Sequence, residues 1–218
     1  MKKGGRYDVS HLEEAQFEPG SRGRVLKNGL GIKSKREMDR LEKRELLRAQ
    51  EELIAIYDKN HRFTAADVCK IHNIWLGKIY EWAGKYRQVN ISKGDFYFAT
   101  SSQISTLMES FEEDALNKFT PCNLGSLEQI VKALAVVHTE LVLIHPFREG
   151  NGRVARLLAD LMAVQSGLPP LDFAGIVGHK KKEYISAIHA GIGRNYNLME
   201  KIFRYAIRKT LRTHGQQS

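Results

Sequence analysis

Cysteines and long apolar runs are scarce in this sequence, and each scarcity excludes a class of protein. The 218 residues include two cysteines, Cys69 and Cys122, which lie far apart and outside any CxxC or histidine-paired spacing. We therefore expect free thiols in a reducing compartment and no cysteine-ligated metal. No apolar run approaches the roughly 18 residues that a membrane span requires. The basic start has no apolar segment behind it, so we expect no secretory signal and a cytoplasmic protein, with delivery into another cell left open.

Acidic residues are outnumbered by basic ones, 25 against 34, which gives a formal charge of +9. Residues 179–218 contain nine basic and two acidic residues and so carry seven of these charges. A solvated helix face is the simplest interpretation, and ATP or an acidic partner is the alternative. The sequence shows no aromatic interleaving and no zinc-finger or helix-turn-helix spacing, which disfavours nucleic acid as a partner.

Composition predicts one soluble domain with an appendage, because 42% of the residues are apolar and 27% are charged. Residues 1–34 are rich in Gly, Ser, Arg and Lys, which predicts an irregular N-terminal arm. We assign residues 35–212 to the folded domain and residues 213–218 to a C-terminal tail.

Apolar residues at helical spacing predict a mainly α fold. Ser34 is placed to cap the first helix, whose apolar side would hold Met38, Leu41, Leu46, Ile54 and Ile56. Thr64 and Asp67 open the next helix, which places at helical spacing Val68, Ile71, Trp75 and Ile79. Further helices are predicted over 102–119, 126–143, 151–166, 180–192 and 197–212. The helix over 126–143 should be central, with Ser126 and Gln129 as its capping box.

One segment breaks the helical period. Residues 89–98 alternate apolar and polar side chains around Gly94, which predicts a β-hairpin and the only strand pair of the chain. An isolated hairpin is marginally stable in water, so we expect this one to lean on the helices.

Residues 145–156, His-Pro-Phe-Arg-Glu-Gly-Asn-Gly-Arg-Val-Ala-Arg, are the richest in chemical groups. The Gly150-Asn151-Gly152 turn precedes an amphipathic run, where backbone N–H groups and a positive helix N-terminus favour an anion. Arg153 and Arg156 are three residues apart and would share a helix face, as a clamp for two phosphates requires.

Two further groups complete this set. Glu149 supplies one hard oxygen ligand, which suits Mg²⁺ because this ion takes one or two carboxylates together with phosphates and waters. His145 is a candidate general base, since its ordinary pKa is close to neutral pH. The set predicts phosphoryl or nucleotidyl transfer.

The pattern His-x-Phe-x-(Asp/Glu)-Gly-Asn-Gly-Arg-x-x-Arg resembles the signature of Fic domains at every position. The resemblance implies a Fic-type helical bundle with one β-hairpin flap. It also implies an adenylyltransferase that moves AMP from ATP to a Tyr, Thr or Ser hydroxyl of a target protein. By this resemblance His145 deprotonates the hydroxyl, Phe147 anchors the core and Glu149 holds Mg²⁺. By the same resemblance, the anion hole is formed by Gly150, Asn151 and Gly152. Arg153 contacts the β-phosphate, and Arg156 contacts the γ-phosphate.

The resemblance extends over roughly residues 24–205 and includes the hairpin, which matches the Fic flap from Gly84 to Ala99. A flap holds an extended stretch of the target by strand addition. The residues implied here are Ser92, Lys93, Gly94, Asp95 and Phe96, of which Lys93 contacts either phosphate or target. Tyr184 and Asn195 fall where Fic proteins border the nucleotide base.

Many Fic proteins carry an internal inhibitory (Ser/Thr)-x-x-x-Glu-(Gly/Asn) helix, whose glutamate pairs with the second motif arginine. Ser10 to Glu14 has this spacing but Ala15 follows, and Glu200 is preceded four residues earlier by Tyr196. We therefore expect a separate small antitoxin chain to supply the glutamate to Arg156, or no inhibition at all. A homo-oligomer is compatible with the family.

Two alternatives stay open. Relatives with altered anion loops transfer phosphate or phosphocholine, and a basic helical module could bind nucleic acid or protein without catalysis. The intact glycines and both arginines favour AMP transfer over either alternative.

Overall fold

The computed structural model describes residues 11–94, 96–174 and 181–215 and confirms the mainly α fold with one small β-hairpin. The helices are α1 Lys35–Ile56, α2 Ala65–Leu76, α3 Ile104–Phe111, α4 Asn117–Phe119, α5 Leu127–Ile144, α6 Asn151–Gln165, α7 Lys181–Gly191 and α8 Asn197–Gly215. A π-helical turn, Glu112–Leu116, joins α3 to α4, and 3-10 turns occupy Glu13–Ala15 and Ser101–Gln103. The helix expected over 102–119 is thus one continuous helical segment of changing pitch.

The predicted helix starts are confirmed by their caps. Ser34 accepts a hydrogen bond from the N–H of Glu37 at the start of α1. Thr64 and Asp67 form a complete capping box on α2. Ser126 accepts from the N–H of Gln129 at the start of α5, which satisfies one of the free donors of a helix N-terminus. The predicted capping box is only half formed, because the Gln129 side chain bonds to the Ser126 hydroxyl and not to its N–H.

The buried face of α1 differs from the prediction. Met38, Ala49 and Leu53 are buried together with two carboxylates, Glu42 and Glu45. Ile56, expected on the apolar side, is 43% exposed. The expected Leu41, Leu46 and Ile54 are only partly buried. The apolar pattern was misleading because both glutamates accept bonds from arginines, Glu42 from Arg153 and Glu45 from Arg48, so they can occupy core-side positions.

Helix α5 is the central helix, as predicted, since twelve of its eighteen residues are buried. It packs against α3, α6, α7 and α8, while α1 and α2 pack on each other and on α6. This arrangement places the C-terminus of α5 beside the N-terminus of α6, so the loop over 145–150 is held between two buried helices. Ile79, expected at helical spacing on α2, is buried but lies three residues beyond the end of the helix at Leu76.

The hairpin is present but short. Its strands, β1 Ser92–Lys93 and β2 Phe96–Tyr97, pair antiparallel, with Ser92 opposite Tyr97 and Lys93 opposite Phe96. Asp95, predicted in the flap, lies outside the described residues.

The ends of α6 and α8 and the N-terminal arm have defined backbone contacts or conformations. Gly167 follows α6 with φ of 80°, the left-handed conformation expected of a C-terminal cap. Helix α8 runs to Gly215, beyond the predicted end at residue 212. In the arm, Phe17 and Leu26 form an isolated antiparallel bridge, and the N–H of Gly29 donates to the carbonyl of Ile79. Within the described ranges, no helix combines the length and apolar character needed to cross a membrane.

Candidate active site

His145 ends α5 in the left-handed conformation, with φ of 55°. Its N–H still donates to the carbonyl of Leu141, so the residue is held by the last turn of the helix. The ring Nδ1 lies 3.0 Å from the carbonyl oxygen of Val142. Because a carbonyl can only accept, Nδ1 carries the proton and Nε2 keeps its lone pair.

The flap covers the ring of His145. Phe98 stacks on it, with ring centroids 3.7 Å apart. The pKa of His145 is lowered to about 4, chiefly by burial; the charges of Arg87 and Lys93 also lower it, while the Val142 carbonyl and Glu149 raise it. The ring is therefore neutral at pH 7, as a proton acceptor must be.

The loop after His145 is held by side chains that point inward. Phe147 is fully buried and stacks on His72, with ring centroids 3.9 Å apart. His72 in turn donates from Nε2 to the carbonyl of Glu149 and accepts at Nδ1 from the N–H of Gly84. Asn151 accepts from the N–H of Phe147 and donates to its carbonyl, each at 2.8 Å. The Asn151 side chain thus shapes the loop, which leaves only its backbone to meet a ligand.

The N-terminus of α6 presents backbone N–H groups without carbonyl partners, the geometry that suits an anion. Gly150 precedes the helix with φ of 84°, and a Cβ atom there would lie 2.5 Å from the ring of Trp75. Only glycine fits this position without strain. The first N–H groups of a helix have no carbonyl partner within it, and those of Asn151 and Gly152 occupy these positions. They add a positive end of the helix dipole to the loop.

Arg153 is held by three neighbours before any ligand binds. One terminal nitrogen donates to Glu42 at 2.6 Å and the other to Glu149 at 3.2 Å. The guanidinium lies 4.5 Å from the ring centroid of Trp75. Glu42 is buried and also accepts from the hydroxyl of Tyr80 at 2.8 Å. These contacts hold the guanidinium at one place on the first turn of α6.

Arg156 lies one turn further along α6 and is largely enclosed. Burial lowers the pKa of its guanidinium, and the neighbouring Tyr184 opposes this shift. The hydroxyl of Tyr184 lies 2.8 Å from Nε2 of His138 on α5. Tyr184, predicted near the nucleotide base, therefore lies beside Arg156 as well.

These groups surround one cavity of about 750 Å³. Of the predicted site residues, the cavity wall includes Lys93, Phe96, His145, Glu149, Gly150, Asn151, Gly152, Arg153, Arg156 and Tyr184. Ser92, Gly94 and Asn195 are absent from that wall as far as the described residues show. The side chain of Asn195 accepts from the N–H of Asn197 and thus caps α8. Phe96 stacks on His189 of α7, with centroids 4.8 Å apart, so the flap tip reaches across the cavity.

A metal at this cavity would depend on one protein carboxylate. No group of three or more His, Cys, Asp or Glu side chains is placed to bind a metal ion in the described parts of the chain. Glu149 is half exposed, and both hydrogen bonds to it, from Gly150 and Arg153, go to Oε1. Its other oxygen fits Mg²⁺, which takes most of its ligands from phosphates and waters.

Several site residues carried no sequence signal of their own. Glu42 and Trp75 reach Arg153 from α1 and α2, and Phe98 reaches His145 from the flap. Arg87, buried between flap and loop, donates to the carbonyl of His145. Each acts on a partner more than 40 residues away, which periodicity cannot predict.

The chain is similar in sequence to known proteins. Residues 62–163 match the model of the Fic/DOC family. The chain is 30% identical over 152 residues to the probable protein adenylyltransferase Fic of Salmonella typhimurium, over 67% of this chain and 70% of that protein. It is 31% identical over 137 residues to the protein adenylyltransferase Fic of Aedes aegypti, over 62% of this chain. It spans only 26% of that longer protein.

The fold agrees with a solved structure. The N-terminal Fic domain of a putative cell filamentation protein from Bartonella quintana, with bound ADP, superposes with a TM-score of 0.70 at 26% identity. The superposition covers 90% of this chain and 95% of that one.

Proposed function

Because the chain belongs to the Fic/DOC family, we propose that it transfers AMP from ATP to a hydroxyl group of a target protein. One observation carries the proposal. A neutral histidine with a free Nε2 shares a cavity with a helix N-terminus and two arginines. A proton acceptor beside an anion site is what nucleotidyl transfer to a hydroxyl requires.

The donor we propose is ATP. The Bartonella quintana relative binds ADP, and adenylyltransferase is the activity named for the Salmonella typhimurium and Aedes aegypti relatives. In this chain Arg153 and Arg156 face the cavity as candidates for the β- and γ-phosphates. Val142, Ile185 and Ile188 add an apolar wall that suits a purine base.

Mg²⁺ is the proposed metal, with Glu149 as its protein ligand. When bound, it would neutralise charge that develops on the phosphates. The chain's own contribution is that Glu149 is anchored by the N–H of Gly150 and by Arg153, which fixes its carboxylate at the start of α6.

In the proposed reaction, the target hydroxyl gives its proton to Nε2 of His145 as its oxygen attacks the α-phosphate. Pyrophosphate leaves, so the AMP–oxygen bond forms as the bond between the α- and β-phosphates breaks. The Val142 carbonyl keeps the proton on Nδ1, which orients the ring and supports the imidazolium that forms. In this proposal, the N-terminus of α6 and Arg153 stabilise the negative charge that develops on the leaving group.

The flap is the proposed target site. Strand β1 or β2 would pair with an extended target segment and so bring its Tyr, Thr or Ser hydroxyl to His145. Lys93 lines the cavity and could contact either the phosphates or the target.

We also propose that a separate antitoxin chain restrains the enzyme in the cytoplasm by presenting a glutamate to Arg156. Tyr184 neighbours that guanidinium, and an added carboxylate would compete with the γ-phosphate for it. Purified protein should then be active alone. Activity that appeared only after mutation of a glutamate within this chain would contradict the idea.

His145→Ala tests the base. Purified protein is incubated with Mg²⁺ and bacterial lysate, with ATP labelled at the α-phosphate in one reaction and at the γ-phosphate in another. We expect protein label only from the α-phosphate, and a loss on the order of 10²–10⁴-fold in the variant because the base is gone. ATP affinity should be largely kept.

His11→Ala is the matched control, since His11 is exposed and distant from the motif in sequence. It should label targets like the unmodified protein. Label from the γ-phosphate alone would indicate phosphate transfer and contradict the proposal, as would full activity of His145→Ala.

A further inference from the structure

Arg87 is a buried arginine that donates hydrogen bonds to both ends of the flap and to the carbonyl of His145. Its side chain is among the most deeply buried in the chain, with 1% relative exposure of the residue. Its Nε donates to the carbonyl of His145 at 2.8 Å. One terminal nitrogen donates to the carbonyl of Val89 at 2.7 Å and the other to that of Ala99 at 2.6 Å.

The main chain of Arg87 adds a fourth bond. Its N–H donates to the carbonyl of Pro146 at 2.8 Å, one residue after the base. Val89 precedes β1 and Ala99 follows β2, so the guanidinium closes the open end of the hairpin. The same planar group thus fixes both legs of the flap relative to His145.

This arrangement has a cost that a purely apolar packing would avoid. Burial lowers the pKa of Arg87, because its charge has left water and its bonded acceptors are neutral carbonyls. Glu14 is the carboxylate that acts on it, from a distance. A charged group is retained here although burial disfavours it, and only guanidinium offers donors in a fixed fork to three carbonyls.

The N-terminal arm supports the same junction. A carboxylate oxygen of Glu14 accepts from the N–H of Gln88 at 2.5 Å, next to Arg87. The carbonyl of Glu14 accepts from Nε of Arg148, within the motif loop, at 2.8 Å. Arm, flap and loop therefore meet around Arg87.

We propose that Arg87 is a positioning residue that sets the distance between a target segment paired with the flap and Nε2 of His145. The inference rests on the proposed function, because it assumes that the flap holds the target. A hairpin with two residues in each strand cannot hold its own orientation, so its placement must come from its base. A misplacement of about 1 Å can cost about 10²-fold in rate.

Arg87→Lys tests the inference, because lysine keeps the charge but cannot donate to three separated carbonyls in one plane. We expect kcat/KM for the target protein to fall about 10–10²-fold. The Kd for ATP should change less than about 2-fold, since the anion site is built from α6. Arg62→Lys is the matched control, because Arg62 is exposed and donates to one carbonyl, that of Asn117.

The pH profile gives a readout that a merely structural role would not move. A looser flap lets water reach His145, so its pKa should rise from about 4 toward its ordinary 6.5. The other charged groups that act on this ring, Lys93 and Glu149, are unchanged in the variant. The acid limb of target transfer should therefore shift to higher pH in Arg87→Lys alone.

Amide hydrogen exchange tests the role of Arg87 without an activity assay. The amides of Arg87, Phe98 and His145 are each hydrogen bonded, to Pro146, Ile91 and Leu141. If the Arg87 guanidinium links these three amides, they should exchange in one opening event in the unmodified protein. Their exchange rates, corrected for the local sequence, should then be equal. In Arg87→Lys, exchange at Phe98 should rise about 10-fold or more.

Three outcomes would overturn the inference. The first is unchanged target kcat/KM in Arg87→Lys, and the second is an equal loss of ATP affinity and target transfer, which would indicate general damage. The third is independent opening of the three amides in the unmodified protein, which is measurable even if the variant does not fold. Unmodified protein that labels no target would contradict the proposed function, while the exchange experiment would still decide the role of Arg87.

Discussion

The chemistry of single residues at this site depends on which of their atoms are already engaged. In the proposed reaction His145 accepts a proton at Nε2, because Val142 holds the other proton on Nδ1. The side-chain amide of Asn151 is bonded to the backbone of Phe147, so only the backbone N–H of Asn151 is available to an anion. Gly150 is required because the ring of Trp75 fills the space of a side chain.

Gly150→Ala should therefore be far more harmful than another glycine substitution at the same backbone conformation. The new methyl would lie 2.5 Å from the Trp75 ring. The left-handed backbone costs about 1–2 kcal/mol and the overlap about 1–3 kcal/mol more. Urea denaturation should show this loss, and isothermal titration should show weaker ATP binding.

Gly167→Ala is the matched control, because Gly167 has φ of 80° and open space where a Cβ would stand. It should lose only the backbone part and bind ATP normally. Equal losses of stability in the two variants would show that the Trp75 contact does not matter.

Among the elements, the flap depends most on its neighbours. Its two strands are too short to be stable alone, and aromatic contacts join it to the helices on either side of the cavity. Phe98 stacks on His145 at the end of α5, and Phe96 stacks on His189 of α7. The flap thus spans the cavity, and a target segment would meet it in this position.

Phe96→Ala should loosen the tip of the flap, because it removes the contact with α7. An aromatic pair contributes about 0.5–1.5 kcal/mol, so amide exchange in residues 91–98 should rise roughly 2–10-fold. Tyr97→Ala is the control on the adjacent residue, whose side chain faces solvent with 81% exposure. Equal increases in the two variants would mean that the contact with His189 does not hold the flap.

For the whole molecule, the stability depends on pH through groups buried without charge. Burial lowers the pKa of His72 and of His138 to about 3, and that of His145 to about 4. Asp160 acts in the opposite sense, since burial raises its pKa to about 7. Its carboxyl oxygens accept from Gln50 and from the N–H of Leu171, which ties α6 to α1 and to the following loop.

The free energy of unfolding should fall as the pH drops from about 6.5 to about 4.5. In this window the unfolded chain protonates the three histidines and the folded chain does not, so acid favours unfolding. Asp160 is protonated in the folded state and ionised in the unfolded chain over this range, so it offsets the proton uptake of one of the three histidines. The net slope should be on the order of 1–3 kcal/mol per pH unit, measured by urea denaturation at a series of pH values.

Asp160→Asn removes the opposing group and should make this slope steeper. Stability that was flat, or that rose toward pH 4.5, would contradict the assignment of the three histidines as neutral in the folded state.

Local patterns were enough for the element order and for the motif. Ser34 and Thr64 were identified as helix caps because a cap is a contact within four residues. The motif from His145 to Arg156 could be recognised because its groups follow one another along a single loop and helix start. The π-helical turn at Glu112–Leu116 escaped prediction, since its residues are ordinary helix formers.

The sequence by itself determined that this chain is a mainly α protein with a hairpin and a glycine-rich loop ahead of a helix. Only the tertiary structure decided which side chains support that loop. Glu42 pairs with Arg153 across 111 residues, and Arg87 with His145 across 58. The physical reason is that periodicity reports which face of an element is buried, while a buried polar contact depends on the packing of elements distant in sequence.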